Sequence, residues 1–138
     1  MGDGPFKPHG EFEFSVEGRV LRVRTSGPWN KELIQQYAGV LAQALASLAG
    51  APWGVFATVV GQGLHTPESF AEMQAGIGRQ RAIGRCATAV VLENVEGAPI
   101  VQRMLERMYR EAGEPAAFFD DSAAAMAWLR ARIADSGR

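Results

Sequence analysis

Polar and apolar residues alternate one by one in residues 11–17, with Phe12, Phe14 and Val16 on one side. This two-residue period is typical of a strand with one buried face. Residues 19–24 form a second short strand pattern after a Glu-Gly connection. A connection this short predicts an antiparallel hairpin.

A helical period replaces the alternation after the hairpin. Asn30 is placed to cap a helix, and Gly50 is placed to end it. The apolar residues between them recur three or four positions apart, which predicts one buried stripe. The stripe comprises Leu33, Tyr37, Val40, Leu41, Ala44, Leu45 and Leu48.

Two nearly continuous apolar runs, 52–60 and 86–92, are typical of strands that are covered on both faces. Thr66 and Pro67 mark a helix between them, as N-cap and first helical residue. Its predicted buried side is Phe70, Met73, Ile77 and Ile83.

A third helix is predicted after Gly97, with Ile100, Val101, Met104, Leu105 and Met108 on one side. A short strand over 116–119 and a last helix after residues 120–122 complete the order ββαβαβαβα. This order predicts a single α/β domain over residues 11–135. We expect a mostly parallel five-stranded sheet with an N-terminal antiparallel hairpin and helices on both faces. Residues 1–10, with three Gly and two Pro, are predicted to be a disordered lead-in.

Composition narrows the class of protein. The 138 residues carry 14 basic and 15 acidic side chains, so the chain lacks the basic excess of a nucleic-acid binder. No apolar run approaches the roughly 20 residues that span a bilayer, so we expect no membrane insertion. Cys86 is the one cysteine, which favours a reducing, cytoplasmic location, and we expect no metal and no cofactor. The near-neutral charge and the apolar hairpin face favour a homodimer.

Three segments carry a resemblance to a known family. They are residues 17–23 with 26–30, residues 48–53 with 66–68, and residues 118–121 with Ala125, Ala127, Trp128 and Leu129. In this order and spacing they resemble the STAS or SpoIIAA-like domains, typified by bacterial anti-sigma-factor antagonists, and most closely the small stand-alone members. The resemblance implies a five-strand, four-helix domain without a bound metal.

The same resemblance implies a site of modification. In the antagonists, a serine at the start of the second helix is phosphorylated by a partner kinase. This chain has Thr66 and Ser69 in that region, without an Asp-Ser-Ser run. The resemblance therefore makes Thr66 and Ser69 candidates for phosphorylation.

The loop before the second helix holds the residues with the strongest chemical interest. Gly61 and Gly63 lack the third glycine of a dinucleotide-binding loop, so a simple turn is favoured, although a helix N-terminus also attracts anions. His65 is a candidate general base or an exposed loop histidine. Cys86 is either a reactive thiol beside arginines or, as we favour, a buried small side chain.

Two arginine clusters, 79–85 and 103–110, indicate either a salt-bridged solvent face or a surface for an acidic partner. The methionines on the buried stripes allow two hypotheses. In the first, they fill the core. In the other they line a cavity for an apolar ligand, with Trp29 and Trp53 as walls.

These patterns favour a non-catalytic binding or regulatory module that takes a protein partner or a small molecule near the start of the second helix. The alternative is a carrier or sensor of a small apolar or lipid-like ligand. An enzyme that uses His65 is the third hypothesis. The predicted binding residues are Gly61, Gly63, His65, Thr66, Ser69 and Phe70.

Overall fold

The computed structural model describes residues 11–137, so the predicted lead-in over 1–10 lies outside the described residues. Five strands and four helices follow one another in the predicted order. Their bounds are β1 Glu11–Glu17, β2 Val20–Ser26, α1 Lys31–Leu48, β3 Trp53–Val60, α2 Pro67–Arg81, β4 Arg85–Glu93, α3 Ala98–Glu111, β5 Ala116–Phe119 and α4 Ser122–Ser136.

The strands form one sheet in the order β1-β2-β3-β4-β5. β1 pairs antiparallel with β2, and every later pair is parallel. The predicted α/β class, its hairpin and its mostly parallel sheet are therefore confirmed. The two apolar runs, now β3 and β4, are neighbours in the centre, with Val55 opposite Thr88.

Helices cover the two faces of the sheet unequally. Each parallel crossover moves one strand in the same direction, and right-handed crossovers then place their helices on the same side. α1, α2 and α3 accordingly pack on one face, against residues such as Leu21, Val55 and Val90. α4 packs on the other face, where Leu129 contacts the cluster that contains Phe56.

The predicted N-caps are confirmed. Asn30 Oδ1 accepts a hydrogen bond from the Leu33 amide at 2.8 Å, and Thr66 Oγ1 accepts one from the Ser69 amide at 3.0 Å. Asp121 caps α4 through two amides of its first turn. These bonds satisfy amides that a helix N-terminus leaves without an internal partner.

Four apolar residues predicted on buried sides are exposed: Val16, Val40, Ile83 and Ile100. Val40 and Ile100 belong to helices in which successive residues turn by about 100°. Val40 lies at the edge of the arc centred on Leu41, and Ile100 lies well outside the arc that contains Val101. Ile34, which the predicted stripe omitted, is buried inside the α1 arc. No helix among the described residues is long and apolar enough to cross a membrane.

Candidate ligand-binding site

A cavity of about 90 Å³ lies between the three-helix face of the sheet and helices α1, α2 and α3. Its walls are mainly apolar: Leu21, Val23, Val55 and Ala57 come from the sheet, and Leu41 and Ile77 come from the helices. Ala57, on the central strand β3, has the smallest side chain on the sheet side of the wall. This small side chain leaves a space that the helices do not fill.

Small residues also lie on the helical side of the cavity. Ala38 on α1 is exposed, and Gly76 on α2 is half-buried. A Cβ added at Gly76 would have Arg79 Nη2 as its nearest neighbour, at 3.7 Å. Glu72 and Arg79 line the same region and bring opposite charges to it. Small and charged residues thus line the cavity where α1 and α2 border it.

The cavity also contains hydroxyl groups without a protein partner. Tyr37 and Tyr109 line it and are each only 9% exposed. Neither hydroxyl has a hydrogen-bond partner within residues 11–137, and Thr25, 8% exposed on the same wall, also has none. No side-chain nitrogen or oxygen among the described residues is both fully buried and without a partner, so these hydroxyl oxygens remain accessible from the cavity. These hydroxyls are consequently free to bind something that occupies the cavity.

Arg85 lines the cavity, and three hydrogen bonds fix the position of its guanidinium group. Its Nε donates to Glu114 Oε2 at 2.5 Å, its Nη1 to Gln80 Oε1 at 2.7 Å, and its Nη2 to Thr88 Oγ1 at 2.8 Å. Thr88 donates in turn to Glu114. A guanidinium has five N–H groups, so one N–H on each Nη keeps no partner among the described residues.

Glu114 is the counter-charge of two arginines. Its side chain is 0% exposed, and Arg81 Nη1 donates to its other oxygen at 2.9 Å. Glu114 does not line the cavity, whereas Arg85 does. Two guanidinium groups against one carboxylate leave one net positive charge at this end of the cavity.

Burial keeps the two tyrosines neutral. It raises the pKa of Tyr37 far above its usual value and that of Tyr109 to about 12, while the positive charge of Arg85 opposes both rises. Tyr37 and Tyr109 lie close enough to interact with Arg85 electrostatically. Near neutral pH both hydroxyls therefore keep their protons and can donate hydrogen bonds.

His65 stands at another part of the wall, stacked on Trp29 with ring centroids 5.8 Å apart. Desolvation lowers its pKa to about 4, so the ring is neutral near pH 7. Its Nδ1 lies 3.0 Å from Ser69 Oγ, and that hydroxyl lies 3.1 Å from the Thr66 carbonyl. When Ser69 donates its one proton to the carbonyl, it accepts from His65 Nδ1–H.

This arrangement does not activate Ser69 as a nucleophile. Ser69 is 0% exposed, and a base that donates to the hydroxyl cannot remove its proton. No carboxylate hydrogen-bonds the His65 ring among the described residues. Backbone hydrogen bonds tie the loop before α2 to Trp29: its amide donates to the Leu64 carbonyl, and its carbonyl accepts from the Thr66 amide.

Of the six predicted binding residues, Gly63 and His65 line the cavity. Gly63 is packed so closely that an added Cβ would lie 2.8 Å from Val101 Cγ1. Gly61 adopts a φ of 73° and bonds through its backbone to the loop after β4. Thr66 is exposed and caps α2, whereas Phe70 is half-buried under the Arg107 guanidinium, 4.6 Å away.

The predicted phosphorylation sites differ in access. Thr66 lies on the surface, whereas Ser69 is buried and committed to backbone carbonyls. A kinase reaches Thr66 in this conformation, and it reaches Ser69 only after the start of α2 opens. Phosphorylation of either residue stays a prediction.

The other residues singled out from the sequence take varied places. Trp29 lines the cavity, but Trp53 does not, and its Nε1 donates to the Ile83 carbonyl at 3.0 Å. Cys86 is half-buried. No group of three or more potential metal ligands occurs among the described residues. The arginines of α3 are exposed: Arg103, Arg107 and Arg110.

Sequence reasoning missed the tyrosines and the role of Arg85. Tyr37 was placed among the core residues, Tyr109 was not singled out, and Arg85 was grouped with surface arginines. A buried tyrosine normally needs a partner for its hydroxyl, and Tyr37 and Tyr109 both lie beside buried positions of their helices. A tyrosine at a buried helical position was therefore the feature of the sequence that could have indicated a polar group in the cavity. No protein-family model, curated protein or solved structure matches the chain.

Proposed function

We propose that this protein is a non-catalytic module that binds a small molecule in the cavity beneath α1 and α2. The unpartnered hydroxyls of Tyr37 and Tyr109 carry the proposal. Both hydroxyls make no hydrogen bond within residues 11–137 and stay accessible from the cavity, and an apolar cavity with a few polar groups is typical of a ligand site. A bound molecule supplies the missing acceptors.

The cavity volume limits the ligand. An apolar cavity of about 150 Å³ binds a molecule of the size of benzene, and this cavity, at about 90 Å³, is smaller. A membrane lipid with two acyl chains is far larger. The volume therefore favours a small ligand over the lipid-like cargo of the carrier hypothesis. Membership of the STAS-like family remains a proposal beside this one, and it is compatible with a ligand-sensing role.

Binding is favoured over catalysis by the state of the polar groups. Ser69 is buried and donates to the backbone, and desolvation lowers the pKa of His65 to about 4. A general base works best when its pKa lies near the operating pH. The groups that face the cavity thus suit recognition better than proton transfer.

A protein partner at the start of α2 is the second candidate, and Leu64 favours it. This residue is 54% exposed and precedes His65 and the cap Thr66. An exposed leucine beside a free helix N-terminus offers a partner both apolar and polar contacts. Leu64→Ser should then weaken the capture of a partner, while the same variant leaves small-molecule binding in the cavity unchanged.

The experiment for the leading proposal is amide-shift mapping with xenon and with 1-butanol, two probes small enough for the cavity. We expect shifts at cavity-lining amides such as those of Val55, Ile77 and Met108. Ala57→Val should remove them, because the added methyl groups fill the cavity. Thr58→Val is the matched control, since Thr58 is the next residue of β3 and faces the opposite side of the sheet. Absence of shifts with both probes would contradict the proposal.

A further inference from the structure

We infer that the ligand of this cavity is a small monocarboxylate with a short, unbranched apolar tail, whose carboxylate oxygens accept hydrogen bonds from Tyr37 and Tyr109 beside Arg85. This inference rests on the proposed function and gives the chemical class of the molecule that the cavity binds. It follows from the donors, the charge and the shape of the site.

Three polar side chains that line the cavity can donate hydrogen bonds to a ligand: Tyr37, Arg85 and Tyr109. The hydroxyls of Tyr37 and Tyr109 have no acceptor among the described residues, and Arg85 has no accepting atom. The carbonyl oxygen of Gln80 already accepts from Arg85. A ligand group that accepts several hydrogen bonds, as a carboxylate does, therefore matches these donors.

The charge at the Arg85 end of the cavity favours an anion. Arg85 faces the cavity, whereas the carboxylate of Glu114, which Arg85 and Arg81 share, lies behind it. One positive charge remains unbalanced within this group. A buried anion is costly unless it is paired and hydrogen-bonded, and this end supplies both the charge and the donors.

The shape of the cavity indicates the rest of the ligand. Arg85 pairs with Trp53 at the start of β3, and Thr25 pairs with Val59 near its end. Residues that line the cavity thus extend over about 20 Å along β3, at about 3.3 Å per residue. A volume of about 90 Å³ spread along such a wall is narrow. A slender alkyl tail fits it better than a ring.

The test compares butyrate with 1-butanol in an acetate-free buffer at neutral pH, by amide-shift titration of the full chain. We expect butyrate to bind at least ten-fold more tightly than 1-butanol. Affinity should rise about four-fold per methylene from acetate to butyrate, which corresponds to about 0.8 kcal/mol for each buried CH₂. Decanoate, whose volume exceeds that of the cavity, should not continue this rise.

Two variants locate the head group. Tyr37→Phe and Tyr109→Phe keep the ring packing and remove one donor each, so each should weaken butyrate binding on the order of ten-fold. Neither variant should lower the melting temperature of the free protein, because neither hydroxyl makes a hydrogen bond within residues 11–137. A Tyr→Phe pair that binds butyrate as the natural chain does would overturn the inference.

The outcomes separate the two proposals. If xenon shifts the cavity amides but butyrate binds no better than 1-butanol, the cavity binds ligands and the carboxylate assignment is wrong. If neither xenon nor any of the organic probes shifts those amides, the binding function itself fails. If the natural chain prefers butyrate and each Phe variant abolishes that preference, the result supports the binding function and the carboxylate assignment together.

Discussion

At the scale of single residues, the most consequential group is the buried carboxylate of Glu114. It is completely buried and bound by Arg85 and Arg81. A buried ion pair contributes little net stability compared with apolar residues of similar size, but removing one partner leaves an uncompensated charge. Glu114 is thus a structural requirement of the site because it holds Arg85 against the cavity.

Replacing Glu114 by Gln should destabilise the fold by about 3–5 kcal/mol, because two guanidinium groups lose their counter-charge. Urea unfolding at pH 7 measures the loss. Glu17→Gln is the matched control, since Glu17 also pairs with two arginines but is 50% exposed. The control should change stability by at most about 1 kcal/mol. Equal losses in the two variants would contradict the assigned burial of Glu114.

His65 should make stability depend on pH. Its pKa in the folded protein is lowered to about 4, whereas an unfolded histidine titrates near about 6.5. Between these values the unfolded chain binds the extra proton, so stability is full above pH 6.5 and falls as pH drops toward 4. The loss should be of the order of 1–3 kcal/mol.

The check on this prediction is a set of urea unfolding curves between pH 4 and 7 for the natural chain and for His65→Gln. The substituted chain has no titrating ring at this position, so its stability should fall less steeply with acid. Carboxylates titrate in both proteins, and the difference between the two curves isolates His65. Parallel curves would show that folding does not lower the pKa of His65.

At the scale of elements, the connection between α2 and β4 depends on one glycine. Gly84 has a φ of 115°, and a Cβ added there would lie 2.6 Å from the Ala51 carbonyl oxygen. Its own carbonyl accepts from the Trp53 amide at 3.0 Å. The close approach of two backbones sets where β4 begins, and so where Arg85 enters the sheet.

Gly84→Ala should therefore cost about 1–3 kcal/mol, through backbone strain and the clash with Ala51. Gly39→Ala is the opposite case, because Gly39 lies inside α1 with nothing within 4 Å of an added Cβ. That change should stabilise the protein by about 0.5–1 kcal/mol. Thermal unfolding of both variants gives the comparison, and a Gly84→Ala protein as stable as the natural one would refute the steric argument.

Periodicity and caps predicted the elements well for a physical reason. β3 and β4 are buried on both faces and have no polar alternation, and the helix starts at Asn30 and Thr66 follow from bonds within a few residues. These signals are local in sequence. The bounds of β5 followed from the same patterns.

The site could not be predicted in the same way because its parts are distant in sequence. Tyr37, Arg85 and Tyr109 come from α1, β4 and α3, and only the packed sheet brings them to one cavity. The predicted loop did contribute Gly63 and His65. Whether a tyrosine hydroxyl finds a partner depends on neighbours that sequence order does not reveal.

At the scale of the whole molecule, β1 is an edge of the sheet. It exposes Val16, 43% accessible, and half-buries Phe12 and Phe14. An unpaired edge strand is a template for pairing with another chain. We expect a homodimer through this edge. Sedimentation at high micromolar concentration measures it, and Val16→Lys should shift the protein toward the monomer, whereas a natural chain that stays monomeric would contradict the prediction.

The unequal distribution of helices has a consequence for how the protein is made. α1, α2 and α3 can each dock soon after synthesis, because each lies between the strands that it joins. The opposite face, with Phe56 and Ala89, has no cover until α4 has been translated. A nascent chain interrupted before residue 122 therefore displays a bare apolar sheet. Such a surface binds chaperones or aggregates. The synthesis of α4 therefore determines whether a newly made chain is protected from aggregation.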